Sequence, residues 1–247
     1  MRILITNDDG IKAEGIRLLT EAAKQQGEHE IWVVAPAEQC SAMSQRITLR
    51  EKLLVKEESF PVAVAKAYSV SGTPADCVKV ALAHLMKDSR PDVIFSGMNW
   101  GYNSGFDIIY SGTVGAAMEG VMNGIPSFAF SNEAYISNDL AVERLPEIIG
   151  LLLEKEADTS GIWNVNIPGC KPSECKGILW GRKPAAIQFY ADHYDAEPVA
   201  EGELLSVHGI PVGNEGIPEG TDIAALLAGY ISIGRVQNMV SGVDYER

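Results

Sequence analysis

Near its amino end the chain reads Ile3-Leu4-Ile5-Thr6-Asn7-Asp8-Asp9-Gly10, a short apolar run that ends on two adjacent carboxylates. One Asp at a strand end serves as a turn former or helix cap. A second beside it adds repulsion that only a nearby positive charge relieves. Hard oxygen donors of this kind suit Mg²⁺ or Mn²⁺, with water completing the shell. A second group is Ser96-Gly97-Met98-Asn99-Trp100-Gly101-Tyr102-Asn103-Ser104-Gly105, a G-x-N-x-G-x-N-x-G series. Gly permits positive φ and close backbone approach, and Asn tolerates that region better than most residues. A third group, Ser111-Gly112-Thr113, opens a helix. Unpaired N–H groups, the positive end of the helix dipole and two hydroxyls make that turn a ready anion site. Ser71-Gly72-Thr73-Pro74 repeats the pattern before another helix. An acidic pair accompanied by two such turns points to a divalent cation facing a phosphate.

These groups need a scaffold that brings them together. Ile3–Ile5, Ile31–Val34, Ala67–Val70, Val93–Phe95 and Ser127–Phe130 read as short strands without polar alternation. Helical patterns fall between them: Gly15 to Lys24, Ala75 to Met86 with Thr73 as N-cap and Pro74 at the first position, and Val114 to Met122. The resulting expectation is an α/β fold, a Rossmann-like, mostly parallel sheet with helices on both faces. Ligands bind such sheets outside the carboxyl ends of the strands. Asp8-Asp9, Gln39-Cys40-Ser41 and Asn99 each follow a strand and should meet at one edge. The helix over Asn138–Lys155 holds Pro146, which predicts a kink or a break. Past residue 158 the texture becomes strand-like and rich in Gly and Pro, ending in a short helix (Thr221–Ala228) and a strand (Tyr230–Ile233). The division expected is a core over 1–157 and a β-rich extension with an arm over 158–247.

Composition narrows the function. A net charge of −13 over 247 residues disfavours nucleic acid and anionic membranes as partners. With 46% apolar and 21% charged residues the chain can bury a full core. No secretory signal or bilayer-length apolar stretch is evident, so a cytoplasmic location is expected. Cys40, Cys77, Cys170 and Cys175 lack C-x-x-C pairing and read as reduced thiols, with a local Cys170–Cys175 disulfide left open. The four histidines show no metal-ligand spacing.

Five blocks in order make the chain resemble the SurE family of metal-dependent 5′-nucleotidases. They are Thr6-Asn7-Asp8-Asp9-Gly10, Ala35-Pro36 with Ser41-Ala42, Ser71 to Val78, Ser96 to Asn103, and Ser111 to Val114 with Ala117-Met118-Glu119-Gly120. The resemblance implies Asp8, Asp9, Ser41 and Asn99 as ligands of one divalent metal, Mg²⁺ or Mn²⁺. It implies phosphate contacts from Asn99, Asn103, Ser111, Gly112 and Thr113, with Asp8 and Asp9 as catalytic residues. Ser41 owes its role to the resemblance alone. The reaction implied is hydrolysis of nucleoside 5′-monophosphates, with 3′-monophosphates as further candidates and metal-bound water attacking phosphorus. Asp8 as general base or as nucleophile stays open.

Residues 158–247 match the family more loosely. Asn164 to Pro168 and Ala225 to Ile233 fit, whereas Gly234-Arg235-Val236 departs from the family's usual continuation. Family members use this half to form dimers or tetramers, so a homodimer or homotetramer is expected. A haloacid-dehalogenase-type phosphatase needs Asp-x-Asp, and Asp8-Asp9 lacks the spacer. The alternative kept is a nucleotide-binding regulator that has the site without turnover.

Overall fold

The computed structural model describes residues 1–133, 137–155, 158–213 and 216–238. Six parallel strands form its centre: β1 (Arg2–Thr6), β2 (Glu30–Pro36), β4 (Lys66–Val70), β5 (Val93–Trp100), β6 (Ser127–Asn132) and β7 (Gly161–Ile167). The full sheet has nine strands in the order β3-β4-β2-β1-β5-β6-β7-β11-β8. Of the remaining three, β3 (Val55–Glu57) runs antiparallel to β4, and β11 (Ile231–Gln237) antiparallel to β7. The last, β8 (Ile178–Trp180), lies parallel to β11.

Both faces of the sheet are covered because its strands are apolar on both sides. Ile3 and Ile5 pack with Ile16 and Leu19 of α1 (Glu14–Lys24) and with Ile148 and Ile149 of α4 (Asp139–Leu153). Leu4, Val34 and Ile94 face the other way, onto Cys77 and Val78 of α2 (Pro74–Val80). Beside them Val114, Ala117 and Val121 of α3 (Gly112–Met122) pack on Ala129 and Ile162. Burial of these alternating apolar residues is what selects a doubly covered parallel sheet. Among the described residues no helix is long and apolar enough to cross a membrane.

The chain winds outward from β1 through β2 to β4, then crosses back to β5 and continues through β6 to β7. The reversal leaves a crevice at the carboxyl ends of β1 and β5, the usual ligand position in such folds.

Several elements differ from the sequence expectations. The helix begun at Pro74 leaves α geometry at Ala81 and finishes as a π turn over Ala81–Leu85. Helix α4 runs through Pro146 without a break. The carbonyl that Pro146 deprives of a partner belongs to Val142, which is 52% exposed, so water can satisfy it. The Ser96–Gly105 segment, read as a loop, is strand as far as Trp100. Its register against β6 shifts between Ser96 and Asn99, where three steps along β5 match two along β6. This β-bulge re-aims the end of the strand.

Strands β7, β8 and β11 extend the same sheet, while β9 (Tyr190–Val199) and β10 (Gly202–Pro211) form a separate exposed antiparallel hairpin. The domain boundary expected at 157 falls on residues 156–157, outside those described. The root of the hairpin is pinned by carboxylates. Asp107 accepts the N–H groups of Phe189 (2.8 Å) and Tyr190 (3.1 Å). Asp222, just inside α5 (Asp222–Leu227), accepts those of Gly105 (2.9 Å), Ala185 (2.9 Å) and Ile223 (2.8 Å). All four cysteines are free thiols.

Candidate active site

The turn after β1 is built by Asn7. Its side chain accepts the Gly10 N–H (3.2 Å) and donates to the Gly10 carbonyl (2.9 Å), and Gly10 takes a φ of +97° that suits glycine. This closes the turn and sets Asp8 and Asp9 facing the crevice. Asp8 is 3% exposed, and its backbone carbonyl accepts the Cys40 N–H (2.7 Å), tying the turn after β1 to the one after β2.

Helix α3 starts directly over Asp8. Ser111 caps it, accepting the Val114 N–H (3.0 Å). Thr113 donates its hydroxyl to Asp8 Oδ1. A Cβ on Gly112 would lie 3.0 Å from the Asp8 Cβ and 3.1 Å from its Oδ2, so only glycine leaves the carboxylate its place. Burial pushes the Asp8 carboxyl up to about 7; the repulsion of Asp9 adds to this, and the Thr113 hydrogen bonds oppose it. Burial also raises Asp9, against hydrogen bonds from Trp100 and Gln39. Among the described residues neither carboxylate pairs with a Lys, Arg or His side chain. The positive charge that the pair requires is therefore not supplied by a neighbouring side chain.

The remaining predicted ligands converge on the same edge. Gln39 donates to both Asp9 Oδ1 (3.3 Å) and Ser41 Oγ (3.1 Å), holding the second loop against the acidic pair. The Trp100 N–H donates to Asp9 Oδ2 (3.2 Å), which anchors the end of β5 to Asp9. Asn99, just before it, donates its amide to the Gly101 carbonyl (2.8 Å), which leaves its own carbonyl oxygen for other partners. The donor set on offer is two carboxylates, a hydroxyl and an amide oxygen. Among the described residues no cluster of three His, Cys, Asp or Glu accompanies it. Such a set fits a hard cation such as Mg²⁺ or Mn²⁺ and not a soft one.

Asn103 and the Ser71-Gly72-Thr73 turn have partners within the chain. Asn103 is buried: its N–H donates to Asn166 Oδ1 (2.8 Å) and its side chain to Ser131 Oγ (2.8 Å). Its carbonyl accepts from Asn164 (2.8 Å) and Asn166 (3.0 Å). The Asn103 side chain thus braces the loop from within. The Ser71-Gly72-Thr73 turn is filled by its own helix, because Asp76 accepts the Thr73 N–H (3.0 Å) and the N–H and hydroxyl of Thr48 (2.9 and 2.7 Å). Burial would raise the Asp76 carboxyl, but these donors outweigh it and hold it below the usual range. The second anion turn foreseen from sequence is therefore a closed capping box.

Sequence reasoning placed Gln39 at a strand end without a role, and Asn164 and Asn166 only within a strand. Their signal was available. Two amides at alternate positions of an otherwise apolar strand need a buried polar partner.

Residues 3–187 match the family described as "Survival protein SurE". The chain belongs to the SurE family. It is 38% identical over 236 residues to the 5′-nucleotidase SurE of Pelotomaculum thermopropionicum, covering 94% of this chain and 88% of that one. It is 39% identical over 239 residues to the 5′-nucleotidase SurE of Clostridium botulinum (strain 657 / Type Ba4), covering 94% and 91%. The crystal structure of the SurE protein from Aquifex aeolicus superposes with a TM-score of 0.80 at 32% identity, covering 98% of this chain and 95% of that one. Membership of the SurE family thus rests on nearly the whole chain, including the half whose motifs were the looser match.

Proposed function

We propose that this SurE-family chain is a metal-dependent 5′-nucleotidase that hydrolyses nucleoside monophosphates to nucleoside and phosphate. The observation that carries the reading is the Asp8–Asp9 pair, set at the β1/β5 crevice beneath the N-terminus of α3 without a cationic side-chain partner among the described residues. Asp8, Asp9, Ser41 and Asn99 would hold one divalent cation, Mg²⁺ or Mn²⁺. Once bound, it supplies charge neutralisation for the phosphate and acidifies water.

The chain's own residues do the rest. The N-terminus of α3, with Ser111, Gly112 and Thr113, favours the negative charge of the phosphoryl group. Thr113 holds Asp8 Oδ1 by its hydroxyl, which leaves Oδ2, beside Gly112, as the oxygen placed to take a proton. Asn103 supports the loop that carries Asn99 by holding its far end to β6 and β7. The exposed hairpin carries Tyr194, Leu205 and Val207 on one face and Leu204 and Ile210 on the other, apolar side chains that would be buried in a homodimer or homotetramer, to be tested by light scattering. The free thiols accord with a cytoplasmic location.

The test is phosphate release from nucleoside 5′- and 3′-monophosphates by metal-stripped protein, before and after Mg²⁺ or Mn²⁺ is restored. Release that returns with metal and is absent in Asp9→Asn supports the reading. Saturable nucleotide binding without release under any metal would replace it with a silent binding module.

A further inference from the structure

The peptide unit that joins Gly101 to Tyr102 is held at both ends. Its carbonyl accepts the Asn99 side-chain amide (2.8 Å), and its N–H donates to the Tyr190 hydroxyl oxygen (3.1 Å). In a trans peptide these two groups point to opposite sides, so Asn99 and Tyr190 grip one plane from two directions. Tyr190 lies 88 residues further along the chain and is the first residue of β9. The root of the exposed hairpin thus reaches the edge of the site through this hydroxyl.

The plane needs such a grip. Gly101 takes a φ of +122°, a region in which glycine alone moves easily. Its own N–H donates to the Asn132 carbonyl (2.9 Å), which fixes the peptide before Gly101. The peptide after it turns about the Gly101 ψ unless something holds it, and that second peptide is the one that places Asn99. A carbonyl only accepts, so the Gly101 oxygen selects the nitrogen of the Asn99 amide and sends its Oδ1 the other way, as an acceptor. Rotation of the plane would bring an N–H to where the carbonyl was and draw Oδ1 inward.

Tyr190 is fixed in its turn. Its N–H donates to Asp107 (3.1 Å), and its ring meets that of Phe189 edge-on, with centroids 4.8 Å apart. Phe189 is buried and also meets Tyr102 edge-on (4.9 Å). The Tyr102 hydroxyl oxygen accepts the Gly169 N–H (2.9 Å), which anchors the far end of that side chain. The rings around the plane are packed, and the Tyr190 hydroxyl is the acceptor that sets its direction.

We propose that Tyr190 is a positioning residue for the metal ligand Asn99, acting through the Gly101–Tyr102 peptide, so that the seating of the hairpin root sets the affinity for the cation. The assignment rests on the ligand set Asp8, Asp9, Ser41 and Asn99 proposed above.

The test is a double-mutant cycle on full-length, metal-stripped protein, with Mn²⁺ affinity read from the electron paramagnetic resonance of the free ion. Tyr190→Phe removes the hydroxyl, keeps the ring, and should weaken Mn²⁺ binding about fivefold. Asn99→Ala should weaken it at least about tenfold. In the Asn99→Ala background, Tyr190→Phe should change it by less than about twofold, because no ligand is left to aim. A hydroxyl that only stabilised the hairpin root would lower the melting temperature and leave the Mn²⁺ affinity where it was. Unchanged affinity in Tyr190→Phe, beside a loss in Asn99→Ala, would overturn the positioning role and leave the ligand set standing. The same loss from Tyr190→Phe in both backgrounds would also overturn it, since Tyr190 would then act without Asn99. Unchanged affinity in Asn99→Ala would overturn the ligand set, and the positioning role with it.

Discussion

Replacing Asp8 by Asn should make the metal-free protein more stable while removing its activity. The Asp8 carboxyl is pushed from 3.8 to about 7 in the fold, burial being the main cause. In the unfolded chain it ionises near its ordinary value. Between those two values the folded state binds more protons than the unfolded state, so stability falls as pH rises through that window. A shift of this size corresponds to about 4 kcal/mol once the group is ionised in both states, at roughly 1.4 kcal/mol per pKa unit. At pH 5 the folded carboxyl is still protonated, and the penalty is only about 2 kcal/mol. Asn is neutral at both values and can still accept the Thr113 hydroxyl. Urea denaturation in EDTA at pH 5 and pH 8 measures the effect. The stability gain of Asp8→Asn over the unaltered protein should be larger at pH 8 by about 3 kcal/mol, a comparison in which titrating groups remote from Asp8 cancel. Added Mn²⁺ at 100 times its dissociation constant should then stabilise the unaltered protein by about 3 kcal/mol and leave the variant unmoved. Equal stability of the two proteins at both pH values would refute the claim that Asp8 is an uncompensated buried charge. Retention of more than about a tenth of the activity in Asp8→Asn would remove its role in the chemistry.

Three further substitutions probe the frame around the pair. Gly112→Ala places a methyl about 3.0 Å from the Asp8 Cβ, so phosphate release should fall at least tenfold and chemical denaturation should show a loss of about 1–3 kcal/mol from overpacking. Asn166→Ala leaves the Asn103 N–H without its acceptor, and chemical denaturation should show a loss of about 1–3 kcal/mol. Asp222→Ala removes the acceptor of three backbone N–H groups, so it should cost about 3 kcal/mol or more, with Asp222→Asn costing less because an amide oxygen can keep some of those bonds.

The parallel sheet was legible because its strands are apolar without alternation, and the convergence of Asp8, Ser41 and Asn99 followed from the strand-end rule. Thr73 and Pro74 likewise announce α2 by local chemistry that burial does not override. What no local pattern reveals is which partners fill each group, Asp76 within its own helix in one case and residues distant in the chain in the others. Ser71-Gly72-Thr73 looks like Ser111-Gly112-Thr113 until Asp76 is seen to fill the first with its own carboxylate. The hydrogen bonds that tie Asn103 to Asn164 and Asn166, some sixty residues on, are likewise not readable from its own loop. The continuation of β5 to Trp100 depends on pairing with Ser131 and Asn132, which no local pattern reveals. Gln39 joins Asp9 to Ser41 across 30 residues and carries no motif of its own.

The most direct test of the account is a crystal of the protein grown with Mn²⁺, with the metal located by its anomalous scattering. The account predicts one peak at the carboxyl ends of β1 and β5, within about 2.3 Å of oxygens from Asp8, Asp9, Ser41 and Asn99. A peak held by other residues, or none at saturating Mn²⁺, would contradict it.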